Sequence, residues 1–189
     1  SFPAHFYRSV HLAPRSAEDF VLRAPIAEGT VLCRILEVQE HTTFVAEGRA
    51  ELPVRGGVID WESSPYNLAC VFERHGKNGG CGMALVGGTA LTRGAAATTY
   101  AHDSHNLLVL GQTAADMQAA ANAVIEAQGG FAAVRDGSVQ AFAPLPIAGI
   151  LSDRPLPVLG EQIAHVRRVL ADCGYRHDNV IMSLSTIPL

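Results

Sequence analysis

An α/β (α+β) fold, a mixed β-sheet with helices packed on it in one compact domain, is what the sequence predicts, and three observations predict it. Short β-branched and apolar runs recur along the chain, bounded by glycine, proline and polar turn residues. One of them, LLVLG, leads directly into an amphipathic helix with a clear start and stop. Finally, the 189 residues are 48% hydrophobic and 17% charged, enough apolar side chain for one ordinary core and too little charge for a disordered tail.

Taken in order, the first dozen residues read as irregular, and residues 1–18 are assigned to an N-terminal arm preceding a domain at 19–189. DFVLRAP, TVLCRILEV and TTFVAEGRAEL read as strands, broken by Pro25, Gly29 and the polar Gln39-Glu40-His41. LACVFER is an apolar run fit for a buried strand, the turn-rich HGKNGGCG follows, and GMALVGG is a further strand closed by Gly87-Gly88. Arg93-Gly94 and the small-residue run AAATT permit close backbone packing and nothing more specific.

After LLVLG, Thr113 is placed to cap the helix N-terminus and Asp116 stands three residues on. Met117, Ala121, Val124 and Gln128 recur at helical spacing, and Gly129-Gly130 supplies a left-handed stop. FAAVRDGSVQAF reads as a hairpin on the Asp136-Gly137 turn. PLPIAGILSDRPLP is predicted to be irregular, because its prolines lack a donor. A second helix carries Leu159, Ile163, Val166 and Leu170 on one face and ends at Cys173-Gly174. The total is about eight strands and two helices, without a fixed-period repeat.

Charge narrows the partners. Fourteen Lys plus Arg against eighteen Asp plus Glu give a formal net charge of −4. Lys77 is the one lysine and no basic run exceeds Arg167-Arg168, so neither nucleic acid nor an anionic membrane is expected. No stretch approaches the roughly 18 to 20 apolar residues that span a bilayer, and the N-terminus lacks a signal-peptide pattern. Cys33, Cys70, Cys81 and Cys173 form no CxxC pair and read as buried or idle thiols in a reducing cytosol, so the expected location is cytoplasmic. The chain begins with Ser and stops on the apolar IMSLSTIPL, which leads us to expect a piece of something longer.

Searches for familiar chemistry return mostly absences. There is no GxxxxGK[ST], HExxH, GxSxG or HxE…PCxxC, no HxH pair, and Gly79-Gly80-Cys81-Gly82 fails GxGxxG at its last position. The one dense polar cluster is His102, Asp103, Ser104, His105 and Asn106, immediately before an apolar strand. His102, Asp103 and His105 are metal-ligand types, although no fourth ligand stands at a suggestive spacing. A histidine oriented by Asp103 is a general-base arrangement, and Ser104 a less favourable nucleophile because neighbouring residues diverge. Equally open is a polar turn in which Asp103, Ser104 and Asn106 cap backbone groups.

Glu73-Arg74-His75 reads as a charged strand end, Asp60-Trp61-Glu62 as a core or contact tryptophan beside acids, and Ser152-Asp153 as a turn. His165 and His177, on or just after the last helix, are expected to carry no chemistry.

The blocks VFERHG, RGAAATTYAHDSHNLLVLG, the ADM helix start, the DG hairpin and PLPIAGILSD strongly resemble the C-terminal domain of bacterial-type adenine deaminases, from about Asp19 onward. The sequence departs from that family in GGT where GFG is usual, in Tyr100 before AHDSHN, and in stopping where the family continues into a VIPEL-like segment. The resemblance implies a parent enzyme that hydrolyses adenine to hypoxanthine and ammonia by an amidohydrolase mechanism, with divalent metal ions of the Mn or Fe type held by a separate (β/α) barrel. It implies no metal ligand and no catalytic base in this chain. The expected partners are that barrel, a purine substrate and further copies of the chain. The residues expected to meet them are His102, Asp103, Ser104, His105 and Asn106 with Arg74 and His75, where His105 or Asn106 would bond a ring nitrogen. Two other readings stay open: a non-catalytic binding or assembly module, and a small metal hydrolase built on His102 and His105.

Overall fold

Two strands buried on both faces decide the architecture. In the computed structural model, which describes residues 2–88 and 90–189, Leu68, Ala69, Cys70 and Phe72 are buried, as are all of Leu107 to Gly111. A strand apolar on both sides needs a covering layer on each. Ser1 and Thr89, the latter being where GGT stands for GFG, lie outside the described residues.

The chain runs β1 (Gly29–Val38), β2 (Val45–Arg55), β3 (Val58–Ile59), β4 (Asn67–Phe72), β5 (Cys81–Gly88), β6 (Ala95–Thr98), β7 (Leu107–Gly111), α1 (Ala114–Glu126), β8 (Gly130–Arg135), β9 (Ser138–Pro144), α2 (Leu156–Asp172) and α3 (Val180–Thr186). The strands form one nine-stranded sheet in the order β3-β2-β1-β5-β4-β7-β6-β8-β9. Only β1 and β5 pair in parallel, so the sheet is mixed, as expected.

Alternate residues sort into two cores. Leu68, Cys70, Phe72, Leu107 and Val109 meet Met117, Ala120, Ala121 and Val124 of α1 on one face. Ala69, Leu108, Leu110, Phe131 and Ala133 meet Val166 and Leu170 of α2 and Leu184 of α3 on the other. Truncating a fully buried leucine such as Leu68 or Leu108 to alanine would cost about 2–5 kcal/mol. The close seat of α1 explains Gly111, where a Cβ would stand 2.5 Å from Met117 Cγ. Among the described residues, no helix is long and apolar enough to cross a membrane.

Residues before β1 lie along α1 and are held by side-chain amides. Val10 N–H donates to Gln128 Oε1 (3.1 Å) and Gln128 Nε2 donates to Val10 O (3.3 Å). Arg15 N–H donates to Asn122 Oδ1 (2.7 Å) and Asn122 Nδ2 donates to Arg15 O (3.0 Å).

Several elements differ from the sequence expectations. DFVLRAP is not a strand: Ser16 N–H donates to Asp19 Oδ2 (2.7 Å), a local cap that closes a 3-10 turn at Ala17–Phe20 and seats the Phe20 ring edge-on to Phe72. TTFVAEGRAEL pairs only from Val45. AAAT is the strand β6, buried between α1 and the opposite layer, where only small side chains fit. Val58–Ile59 adds a short strand, making nine among the described residues.

The final residues are the helix α3, capped by Asn179 Oδ1, which accepts from Met182 N–H (3.2 Å). Its Val180 and Leu184, with Ile187 just past its end, fall on one buried face, so the α-helices among the described residues number three. Helix α1 stops at Glu126, and Gln128 itself takes the left-handed conformation at φ 60 before Gly129. In the proline-rich segment, Pro144 ends β9 and Pro157 lies in the first turn of α2, both places that tolerate a missing N–H.

Candidate functional site

The turn from Tyr100 to Asn106 joins β6 to β7, and its backbone is closed on itself: His105 N–H donates to Ala101 O (2.6 Å) and Asn106 N–H to Ser104 Oγ (3.3 Å). His105 sits at φ 48, a left-handed position within that turn. His102 N–H donates to Ser185 O (2.7 Å), tying the turn to α3. The Tyr100, His102 and His105 rings stack at one another's edges, with centroids 5.0–5.9 Å apart, and Tyr100 reaches on to Phe131. Asp103 and Ser104 are exposed.

Arg74 lies beneath this turn and is 1% exposed. Its guanidinium donates through Nε to His105 O, through Nη1 to Ser9 O (2.7 Å) and Ser9 Oγ (3.0 Å), and through Nη2 to Ala148 O (2.9 Å). Among the described residues it has no carboxylate partner, and burial pushes its pKa down to about 10. Arg74 N–H also donates to Asn106 Oδ1 (3.3 Å), so the segment just past β4 and the turn hold each other through both backbone and side chain. Arg74 therefore fastens three segments, around Ser9, His105 and Ala148, at one end of the sheet.

His75 is exposed, and its Nε2 lies 3.1 Å from Ser104 O. It begins a loop folded around the Glu73 carboxylate, which accepts the N–H groups of His75, Lys77, Asn78 and Gly79 at 2.6–3.3 Å. Those bonds, led by Asn78, push the Glu73 pKa down to about 2. Next to the loop is an open cavity of about 590 Å³ lined by His5, Phe6, Arg8, Ser9, His11 and His75.

The arrangement limits the chemistry. Among the described residues His105 Nδ1 is buried without a hydrogen-bond partner, and desolvation together with His102 and Arg74 lowers its pKa. Among the described residues, no three His, Cys, Asp or Glu side chains are arranged to hold a metal ion, so His102, Asp103 and His105 do not fit the divalent metal that the resemblance implies for the parent. Ser104 Oγ accepts a backbone N–H and is bonded to no imidazole, so it lacks the partner a nucleophile needs.

The structure thus brings His75, His102, Asp103, Ser104, His105 and Asn106 to one end, and places Arg74 inside as their support. Trp61 is core, and Ser152 Oγ accepts Arg154 N–H in a turn. Sequence reasoning missed Ala148 and Ser185 because they contribute carbonyl groups, which carry no residue signature, and Ser9 because its carbonyl and hydroxyl reach Arg74 across 65 residues.

Comparison with known proteins places this architecture. The profile of the adenine deaminase C-terminal domain matches residues 42–189. Adenine deaminase 2 of Shouchella clausii is 48% identical over 188 residues, covering 100% of this chain and 33% of that protein. The adenine deaminase of Clostridium perfringens is 42% identical over 185 residues (97% of this chain, 32% of that one), and adenine deaminase 2 of Oenococcus oeni is 40% identical over 188 (100% and 33%). The chain spans about a third of the length of the curated relatives it matches. With the expected mixed sheet and the AHDSHN and PLPIAG blocks held together around Arg74, the chain belongs to the adenine deaminase C-terminal domain family.

Proposed function

We propose that this chain serves as the C-terminal domain of a cytoplasmic, homo-oligomeric enzyme that hydrolyses adenine to hypoxanthine and ammonia. In this reading its His75 and Tyr100–Asn106 end is applied to the catalytic barrel, covering its mouth or fixing its assembly. The observation that carries the placement is the convergence of polar groups there: exposed Asp103, Ser104 and His75, and a buried His105 Nδ1 with no partner among the described residues. A buried unpaired nitrogen is costly, and a group from a partner surface or a purine would satisfy it. Divalent metal of the Mn or Fe type would polarise the attacking water in the barrel. The residues of this chain exclude bulk solvent and orient neighbours, and no proton transfer is assigned to them.

The test is His102→Ala, Asp103→Ala and His105→Asn in a full-length protein carrying this domain, with kcat/KM for adenine and assembly measured together. A fall of about tenfold or more, or a change of oligomeric state, is expected. Unchanged turnover with unchanged assembly overturns the placement. Adenine turnover by the 189-residue chain alone with Mn or Fe would overturn the division of labour.

A further inference from the structure

Two of the four thiols lie side by side at the base of the loop that carries His75. Strands β4 and β5 are antiparallel, Cys70 standing opposite Met83 and Cys81 opposite Phe72. Cys70 and Cys81 therefore project from the same face as diagonal neighbours, and Cys81 Sγ donates to Gly82 O at 3.7 Å. Their surroundings differ: Cys70 is fully buried, Cys81 is exposed. The Arg15 guanidinium carbon lies 5.4 Å from the Phe72 ring centroid, over the residue paired with Cys81.

The neighbouring Cys70 thiol holds Cys81 below its ordinary value against desolvation and Asp19, with a smaller contribution from Arg15. The neighbouring Cys81 thiol and burial push Cys70 up. Cys33 and Cys173 are raised by burial, so an accessible thiol favoured as thiolate is found at Cys81 and at neither of these.

We propose that Cys81 and Cys70 are a peroxide-reactive dithiol that closes to an intrachain disulfide. The Cys81 thiolate attacks one oxygen of hydrogen peroxide and the O–O bond breaks. Cys81 becomes a sulfenic acid, and the released hydroxide takes a proton to form water. The Cys70 sulfur then attacks the Cys81 sulfur, the S–O bond breaks, and the departing hydroxyl leaves with the Cys70 proton as a second water. Two thiols lose two electrons in all and one peroxide is reduced to two waters. The product ties β4 to β5 immediately below the 73–80 loop, where Glu73 N–H already donates to Gly80 O at 2.8 Å. Oxidation thereby fixes the base of the loop that presents His75 to Ser104.

The experiment treats the chain, and a full-length protein carrying it, with about one equivalent of hydrogen peroxide, then alkylates and digests with trypsin. Cleavage after Arg74 and Lys77 puts Cys70 in the 56–74 peptide and Cys81 in the 78–93 peptide. Expected are those two peptides joined with the loss of two hydrogens, restored by dithiothreitol, while Cys33 and Cys173 stay alkylated. In Cys70→Ala the reaction stops at a Cys81 sulfenic acid that dimedone traps. In Cys81→Ser, an exposed change that leaves the core intact, Cys70 stays reduced. Cys81 alkylated as fully after peroxide as before overturns the proposal. So does Cys81 found as sulfinic acid, or bridged between two molecules, with Cys70 still a free thiol.

Discussion

Gly149 lies flat against the guanidinium of Arg74: a Cβ at position 149 would stand 2.9 Å from Cζ, Nη1 and Nη2 alike. Its φ of +73 adds a backbone conformation that L side chains rarely adopt. Gly149→Ala is therefore expected to destabilise the chain by about 2–4 kcal/mol in urea unfolding. The double variant Gly149→Ala, Arg74→Met should cost less than the sum of the two single changes, because the methyl then has no cation to displace. Strict additivity would refute the contact.

The loop at 75–79 should follow the charge of Glu73. Its folded pKa of about 2 lies below the ordinary 4.5, so its stabilisation is complete above about 4.5 and is lost as pH falls through about 2. Amide exchange at His75, Lys77, Asn78 and Gly79 should remain slow at pH 4 and quicken towards pH 2 relative to the intrinsic rate. Glu73→Gln should show the fast behaviour at every pH.

For His105 the pH dependence has the opposite chemical origin. Desolvation, His102 and Arg74 lower its pKa below 6.5, so the unfolded chain binds the proton first. Stability is then complete above about 6.5 and is lost as pH drops from there towards the folded value. His105→Asn keeps a residue that tolerates positive φ and removes the titration, so its Tm should fall less than the parent's between pH 7.5 and 5. Equal slopes would exclude His105 as the source.

Asn67 is fully buried at the start of β4, where Nδ2 donates to Leu91 O and Gln112 Oε1 and Oδ1 accepts Leu91 N–H, all at 2.8 Å. Asn67→Leu strands those groups and should cost about 2–4 kcal/mol. Asn67→Asp puts a carboxylate against two acceptor oxygens and should cost more at neutral pH, with the deficit narrowing as the pH is lowered and the acid takes up a proton. Chemical denaturation of both variants at pH 7 and pH 5 measures this.

Much of the sheet was legible because two-sided burial leaves a plain apolar signature, as in LACVF and LLVLG, and because local chemistry marked the turns. Thr113 does cap α1, accepting Asp116 N–H at 3.3 Å, and Asp136-Gly137 does turn the β8–β9 hairpin. Strand β6 escaped notice because close helix packing selects alanine, which has no strand preference. The 3-10 turn at Ala17–Phe20 escaped because a single Ser16–Asp19 cap outweighed a β-rich run. At the candidate site the polar residues were visible, but the cation organising them was not recognisable as such. Arg74 bonds to Ser9, His105 and Ala148 at sequence separations of 65, 31 and 74, and a backbone carbonyl offers no letter to read.

The side-chain amides that hold the arm have a kinetic consequence. A β-strand is bound by a cooperative ladder, whereas this segment is fastened at separate points, among them Gln128 on Val10 and Asn122 on Arg15, more than a hundred residues away in sequence, and His11 N–H on Arg74 O. Contacts of such long range close late in folding, after the sheet and α1 already exist to receive them. They can also open without disturbing any strand pair, as a local unfolding unit of low free energy. Each opening would strip Arg74 of both Ser9 acceptors and leave a desolvated cation short of partners, a penalty that drives reclosure. The arm is thus a latch whose return is enforced by the charge it covers.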